Sequence, residues 1–197
     1  MRIAQIMALI AMLGSTQVNV TPVPANLHSL FVLHDGTKDQ WCGYHEEQGW
    51  RSDIDRLGAF ETASVEFSDG YAKIVKFTEA DDPESGDWIV YDKYEIGEHG
   101  AVLSLERTTN ILPGDISRKE VFELRDGRLV RKSVAMYSLK TNKQVAPKNI
   151  WFPKLPLAKG VADLPFSALL NRIEEVSTRG TVCVPSPTAT PSAPIKK

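Results

Sequence analysis

The histidines are the residues of this chain whose type and surroundings could do chemistry. Two of them adjoin carboxylates, since His34 precedes Asp35 and His45 precedes Glu46. Side chains of these types, brought together on adjacent strand ends, would suit zinc binding or general-base catalysis. Their spacing matches no metal-binding motif, and both pairs lie in turn-like sequence. We therefore predict no bound metal and no cofactor, with these four residues as the only metal candidates.

Sequence signatures of covalent catalysis are missing as well. There is no Gly-x-Ser-x-Gly and no Ser-x-x-Lys, the patterns that mark common serine nucleophiles. No glycine cluster opens a helix after a strand, so a phosphate-binding loop is not predicted. The sequence favours a protein that is not an enzyme, and a metal-dependent or other hydrolase remains an alternative.

A basic hairpin is the clearest candidate for a partner-binding surface. Four of its cations are Arg118, Lys119, Arg128 and Arg131. Cations on a strand usually form a solvated face that discourages edge pairing. The alternative is a patch that docks an envelope protein or an inhibitor target.

Aromatic and aliphatic residues on long predicted strands suggest a ligand cavity. A barrel of about eight strands has an interior that can hold one small ligand. The candidate cavity residues are Trp88, Val90, Tyr94, Leu103 and Phe122. They predict an apolar or amphipathic small molecule as ligand.

A regular series of extended segments must position these residues. In residues 62–67 apolar and polar residues alternate with the period of two that a half-buried strand requires. Asp69-Gly70 and Asp126-Gly127 are typical two-residue hairpin turns. Six strands are predicted with short connections, at residues 62–67, 71–77, 88–96, 101–109, 117–125 and 129–139.

Shorter segments flank this series. Residues 41–44 predict a first strand, and residues 149–152 an eighth one kept short by prolines. Residues 48–58 are polar and predict a loop with one helical turn. Apolar residues at helical spacing predict one helix over residues 164–177.

The chain contains two cysteines, Cys42 near the start of the predicted domain and Cys183 after the predicted helix. An even pair in an exported protein predicts one disulfide. Two free thiols are the alternative.

Together these elements predict a mainly β fold, an antiparallel meander of about seven or eight strands forming a barrel or strongly curved sheet, with one C-terminal helix packed on it. The order of elements, with the strands first and the helix last, is similar to the general plan of lipocalin-like barrels. Trp41 in the first strand adds to this similarity. The Gly-x-Trp signature of that family is absent, because Asp39 and Gln40 precede Trp41. An open curved sheet with the helix in its concavity, as in periplasmic lipoprotein carriers, is the second architecture.

The ends of the chain differ in composition from the domain. One positive charge followed by an apolar run at residues 3–13 is typical of a signal peptide. That run is about half the ~20 residues needed to span a bilayer, so no transmembrane span is predicted. We divide the chain into a signal peptide and linker (1–25), a single β-rich domain (26–184) and a disordered Pro/Ser/Thr tail (185–197).

A net charge of −2 gives no field that attracts nucleic acid. The leading hypothesis is an exported protein, periplasmic or secreted, that binds a small apolar or amphipathic molecule without catalysis. An envelope interaction or inhibitor module and a hydrolase are the alternatives.

Overall fold

A computed structural model of the chain describes residues 23–81, 86–147 and 149–187. The predicted signal peptide therefore lies almost entirely outside the described residues, as does residue 188 onward of the predicted tail. Within the described part of the chain, no helix is long and apolar enough to cross a membrane.

In the part of the chain that the structure describes, ten antiparallel strands form one sheet, which confirms the predicted mainly β meander. Across the sheet the order is β10-β2-β1-β3-β4-β5-β6-β7-β8-β9. The strands are β1 Ser29–Asp35, β2 Gln40–Tyr44, β3 Glu61–Ser68, β4 Tyr71–Ala80, β5 Trp88–Ile96, β6 Val102–Ile111, β7 Ile116–Arg125, β8 Arg128–Ser138, β9 Gln144–Val145 and β10 Thr181–Pro185.

Two of the hairpins have the turns predicted from their Asp-Gly pairs. Asp69 and Gly70 connect β3 to β4, with φ values of 55° and 81°. Asp126 and Gly127 connect β7 to β8, with φ values of 49° and 72°. Two successive left-handed residues match the right-handed twist of the flanking strands, which is why such pairs favour tight hairpins.

Among the described residues the sheet is open, so of the two predicted forms, a barrel or a strongly curved sheet, the barrel is wrong, and ten strands replace the seven or eight expected. The edges are β10, which pairs only with β2, and β9, which pairs only with β8. Residues 149–152, predicted to be a strand, run outside the sheet. The two-residue β9 and the five-residue β10 are too short to give a period-two signal.

One face of the sheet is concave and carries the main core. Trp41 of β2 and Phe77 of β4 lie three strand intervals apart, about 14 Å on a flat sheet. Their ring centroids are only 6.2 Å apart, so the sheet curls toward this face. Phe166, from the segment that covers the concave face, packs between these two rings, 5.6 Å and 6.1 Å from their centroids.

The covering segment is not the single helix predicted over residues 164–177. It consists of a 3-10 turn, Val161–Asp163, and two short helices, α2 Ser167–Leu170 and α3 Ile173–Arg179. The break falls at Arg172, whose φ of −118° is not helical. Helices this short are marginal on local propensity, so packing against the sheet decides where the chain turns. The apolar residues that predicted the helix are nevertheless buried, at Phe166, Leu169, Ile173 and Val176.

The opposite, convex face is covered near β1 and β2 by one helix, α1 Glu47–Leu57, where a loop with one helical turn was expected. Trp50, Ile54 and Leu57 are spaced along one side of α1 and pack on the apolar cluster around Leu33. The Trp50 indole N–H donates to the carbonyl of Val32 at 2.9 Å.

The predicted disulfide is present beneath this helix. Cys42 of β2 and Cys183 of β10 are direct cross-strand partners, with a Cα–Cα distance of 4.0 Å. Of the residues assigned to the tail, Pro185 belongs to β10, and the Ser186 amide N–H donates to the carbonyl of Asp39. The ordered domain therefore extends past residue 184.

Candidate functional site

A cleft of about 530 Å³ lies between the concave face and the chain that covers it. We call it the concave cleft. Its sheet side consists of Glu61, Phe77, Glu79, Asp92, Tyr94 and Arg107, and its other side of residues 155–159 and 163–165.

The polar residues of the concave cleft come from four consecutive strands in space. Side chains that are paired across antiparallel strands point to the same face. Glu61 of β3 pairs with Glu79 of β4, and Asp92 of β5 pairs with Arg107 of β6. The register of the meander therefore places three carboxylates and one guanidinium side by side.

Arg107 and Asp92 form a buried ion pair. Nε and Nη2 of Arg107 donate to the two carboxylate oxygens of Asp92 at 2.7 Å and 2.6 Å. Nη1 and Nη2 also donate to the carbonyls of Leu155 and Pro156. Burial alone lowers the pKa of Arg107, but the hydrogen bonds and charge of Asp92 outweigh it, so the pKa is raised. The bonds to these two carbonyls tie residues 155–156, which precede the covering segment, to the sheet.

Tyr94 completes that network. Its hydroxyl donates to Asp92 at 2.9 Å. Burial, together with the Asp92 carboxylate, raises the pKa of Tyr94. The phenol therefore stays protonated and acts as a fixed donor to Asp92.

Glu79 differs from Asp92 in its hydrogen bonding. Within residues 23–81, 86–147 and 149–187 its carboxyl group makes no hydrogen bond and no ion pair. Burial raises the pKa of Glu79 to about 7, and the charges of Glu61 and Asp92 add to the effect while Arg107 opposes it. A partly buried carboxyl group that titrates near neutrality can bind a cationic group or exchange a proton.

Glu61 connects the concave cleft to a second polar cluster. Its Oε2 lies 2.8 Å from Nδ1 of His34. Nε2 of His34 lies 3.0 Å from the Ser186 hydroxyl and 3.3 Å from Oδ1 of Asp39. The imidazole stacks on Trp41, with ring centroids 4.9 Å apart, so its position is held from three sides.

A second cleft, of about 440 Å³, adjoins this cluster. We call it the edge cleft. It is lined by His34, Gly36, Thr37, residues 57–61 and Ala80.

Strand register places four of the five predicted cavity residues on the concave face, but of these only Tyr94 lines the concave cleft. Tyr94 lines the concave cleft, and Val90 is buried on the same face beside it. Phe122 packs at the margin of the main core, and Trp88 packs in a separate cluster with Ile111. Leu103 is 50% exposed and lies at the β-bulge where the register between β5 and β6 shifts.

The basic residues predicted to bind a partner do not form one surface. Arg118 and Arg131 both pair with the buried Glu120, at 3.0 Å and 2.9 Å. The Arg118 guanidinium also lies 3.8 Å from the ring centre of Phe152. Lys119 lies on the opposite face of β7, 5.1 Å from the Tyr137 ring, and Arg128 is exposed at the hairpin.

The metal candidates do not converge either. Asp35 lies on the convex side of β1, where it accepts hydrogen bonds from Thr37. Glu46 precedes α1 as its N-cap. Among the described residues, no group of three or more His, Cys, Asp or Glu is arranged to hold a metal ion.

Sequence reasoning missed Glu79, Asp92 and Arg107. A signal for two of them existed, because Asp92 and Arg107 occupy inward positions of strands whose other inward residues, apart from Thr109, are apolar or aromatic. Glu79 carried no such signal, because it lies beyond the strand predicted at residues 71–77, in acidic sequence typical of a solvated loop, whereas β4 continues to Ala80.

Comparison of the chain with protein-family models, curated protein sequences and solved structures found no significant match. The fold and the site define the class at a coarse level. This is a disulfide-bonded, mainly β protein whose open antiparallel sheet holds a polar cleft on its concave face.

Proposed function

We propose that this protein binds a small amphipathic molecule in the concave cleft, with the ligand's positively charged or hydrogen-bond-donating group held by Glu79. The observation that carries the proposal is the carboxyl group of Glu79, which is partly buried in the cleft and has no partner among the described residues. Buried polar groups in proteins are normally paired. A ligand cation would supply the missing partner.

The charges of the cleft favour a cation over an anion. Arg107 is already neutralised by Asp92, which leaves three carboxylates in the lining, those of Glu61, Glu79 and Asp163, against one other cation, Lys159. Glu61 already has a partner in His34, whose Nδ1 lies 2.8 Å from its Oε2. An anionic ligand would meet uncompensated negative charge from Glu79, whereas an ammonium group would relieve the repulsion between the two glutamates.

The remaining lining suits an apolar portion of the ligand. Phe77, Leu157 and Leu164 contribute apolar walls, together with two prolines. The volume of about 530 Å³ lies in the usual range for small-molecule sites, roughly 300 to 1,000 Å³. The ligand is therefore amphipathic and not purely apolar.

The test uses linear alkylamines of increasing chain length, with the corresponding alcohols for comparison, in isothermal titration at pH 6 and pH 8. Amines should bind more tightly at pH 8, because Glu79 is then ionised while the amine is still protonated. Affinity should rise with chain length as more apolar surface is buried. Glu79→Gln should remove the preference for amines over alcohols.

Glu106→Gln is the matched control, because Glu106 is exposed on the outer face of β6. It should bind amines like the unmodified protein. Equal affinity for amines and alcohols, or equal loss in both variants, would contradict the proposal.

We also propose that the protein acts outside the reducing cytoplasm. The support is the apolar run at residues 3–13 behind Arg2 and the Cys42–Cys183 bridge, since such bridges persist in oxidising compartments. Mass measurement of the protein recovered from expressing cells should find a chain shortened near residues 14–25. Recovery of the intact chain with two free thiols would contradict export.

A further inference from the structure

We propose that Ser186 is a nucleophile activated by His34 and oriented through Glu61, which gives the protein a weak ester-hydrolysing activity at the sheet edge. This activity goes beyond ligand binding in the concave cleft and does not depend on Glu79. It rests on the geometry of three side chains from three different strands or strand ends.

The hydrogen-bond order is the one that serine nucleophiles require. The Ser186 hydroxyl lies 3.0 Å from Nε2 of His34, and Nδ1 of His34 lies 2.8 Å from Oε2 of Glu61. A carboxylate can only accept hydrogen bonds, so the proton of the neutral imidazole resides on Nδ1. Nε2 is then free to accept the hydroxyl proton of Ser186, the role of a general base.

The fold holds each of these residues in place. His34 and Glu61 are neighbours on β1 and β3, and the imidazole ring stacks on Trp41. Ser186 directly follows β10, which the Cys42–Cys183 bridge fastens to β2. The Ser186 amide donates to the carbonyl of Asp39 at 3.0 Å, so its backbone is fixed as well.

Asp39 is the other charged group that faces the imidazole. Its Oδ1 lies 3.3 Å from Nε2, and its side chain is 80% exposed. A carboxylate at this distance interacts favourably with Nε2 only when that nitrogen carries a proton. It therefore stabilises the imidazolium formed once the serine proton has been transferred.

The reaction follows from these positions. Oγ of Ser186 attacks the ester carbonyl carbon while its proton passes to Nε2. The carbon–oxygen bond to the alcohol then breaks, and the alcohol leaves with that proton. Water, deprotonated by the same nitrogen, attacks the acyl-serine ester, which releases a carboxylic acid and restores Ser186. The edge cleft, which His34 and Glu61 line, offers the exposed ring of Phe60 as apolar surface for a short acyl chain.

The amide N–H of Ser186 does not stabilise the oxyanion of the reaction, because it already donates to the carbonyl of Asp39. In efficient serine hydrolases such an amide stabilises the oxyanion. We therefore expect reaction with activated esters and organophosphorus probes, at modest rates.

The first test treats the purified full chain with a fluorophosphonate probe and locates the label by peptide mass spectrometry. Ser186 Oγ displaces fluoride, and His34 takes the proton. We expect one label, on the peptide that contains Ser186, and none after Ser186→Ala. His34→Gln should slow labelling on the order of 100-fold, the usual contribution of a general base. Ser68→Ala and His99→Gln, at exposed positions, should label like the unmodified protein.

The second test follows hydrolysis of p-nitrophenyl acetate and butyrate. Glu61→Gln should lower kcat roughly 10-fold or more with little change in KM, as expected for a positioning residue, and Glu61→Asp should restore part of kcat. A purely structural Glu61 would instead change the unfolding temperature in step with kcat.

Circular dichroism and the unfolding temperature show whether each variant is folded. If His34→Gln does not fold, His34→Asn replaces it in the same measurement. No label on the unmodified protein, or a label that persists in Ser186→Ala, would overturn the proposal. Loss of amine binding in Glu79→Gln with labelling of Ser186 unchanged would show that the two sites are separate.

Discussion

Two carboxyl groups of the concave cleft, those of Asp92 and Glu79, differ in the hydrogen bonds that they receive from their neighbours. Asp92 receives two hydrogen bonds from Arg107 and one from Tyr94. Glu79 faces Glu61 across the strand pair and receives none from the described residues. A buried carboxyl group with a cation stays ionised, whereas one without a partner favours its neutral form. This difference is the reason that the proposed ligand contact falls on Glu79 and not on Asp92.

The raised pKa of Glu79 makes stability depend on pH. In the folded protein the carboxyl group of Glu79 keeps its proton up to about pH 7, whereas the ordinary pKa of a glutamate is 4.5. The folded state therefore binds more protons between these limits, and the contribution of Glu79 to stability falls as the pH rises through this range. Above about pH 7 the stabilising contribution of the Glu79 proton is completely lost.

We expect Glu79→Gln to remove this dependence. The difference in free energy of unfolding between the Glu79→Gln variant and the unmodified protein should shift in favour of the variant from pH 5 to pH 7. The shift should be roughly 1 to 2 kcal/mol, because water in the cleft screens the charge. Urea unfolding at pH 5, 6, 7 and 8 measures this difference, with Glu106→Gln as the control. Parallel curves for all three proteins would contradict the assignment.

The Arg107–Asp92 pair should be important for stability. Arg107→Leu leaves Asp92 buried without a cation and frees the carbonyls of Leu155 and Pro156. Removing one partner of a buried pair costs about 3 to 5 kcal/mol. Urea unfolding should show that loss, and an added Asp92→Leu should recover part of it.

Arg131→Gln is the comparison for this measurement. Arg131 also pairs with a buried carboxylate, but it is 54% exposed and Glu120 keeps Arg118. Its loss should cost less than about 1 kcal/mol. Equal effects of the two arginine substitutions would show that burial of the pair does not decide its contribution.

At the scale of elements, the short β10 determines how the sheet edge is built. Its five residues cover β2 and bring Ser186 to His34. The covering segment of residues 161–179 enters β10 directly through Gly180, whose φ of 80° suits the end of α3. The disulfide holds the start and the end of the domain in one edge.

The Cys42→Ser, Cys183→Ser double variant tests this element. Loss of a bridge between residues 141 apart in sequence should lower the free energy of unfolding by about 2 to 5 kcal/mol. Denaturant unfolding of the oxidised protein and the variant measures the loss. Release of β10 should also slow fluorophosphonate labelling of Ser186, and an unchanged rate would show that β10 stays in place without the bridge.

At the scale of the whole molecule, burial falls from the centre of the sheet toward β8. Alternate residues of β5 and β6 are buried, whereas no residue of β8 is. β9 pairs with β8 only at Met136 and Tyr137, so the outer side of residues 128–134 forms a sheet edge. The concave cleft lies at the well-packed side of this gradient.

Hydrogen exchange should reproduce the gradient. Backbone amides of β5 and β6 are expected to exchange by global unfolding, and those of residues 128–134 much faster by local opening. Mass spectrometry of peptic peptides after timed exchange measures both. Equal protection in β6 and β8 would mean that the β7–β8 hairpin is covered in solution.

The sequence determined seven of the ten strands in the described residues, two tight Asp-Gly turns and the disulfide. These are local or compositional properties, set by period-two alternation, by Asp-Gly pairs and by an even number of cysteines. It also marked the residues at 166, 169, 173 and 176 as buried, although not the break between α2 and α3. Short β9 and β10 carry too few residues for a periodic signal, so the strand count was wrong.

Only the tertiary structure decided that the sheet stays open and which side chains meet. Strand register and order bring Glu61 beside Glu79, and β10 brings Ser186 beside His34, 152 positions away in sequence. Such contacts depend on pairings between distant segments, for which a single sequence carries no local signal. The same register explains why the basic residues of one hairpin, adjacent in sequence, separate onto two faces.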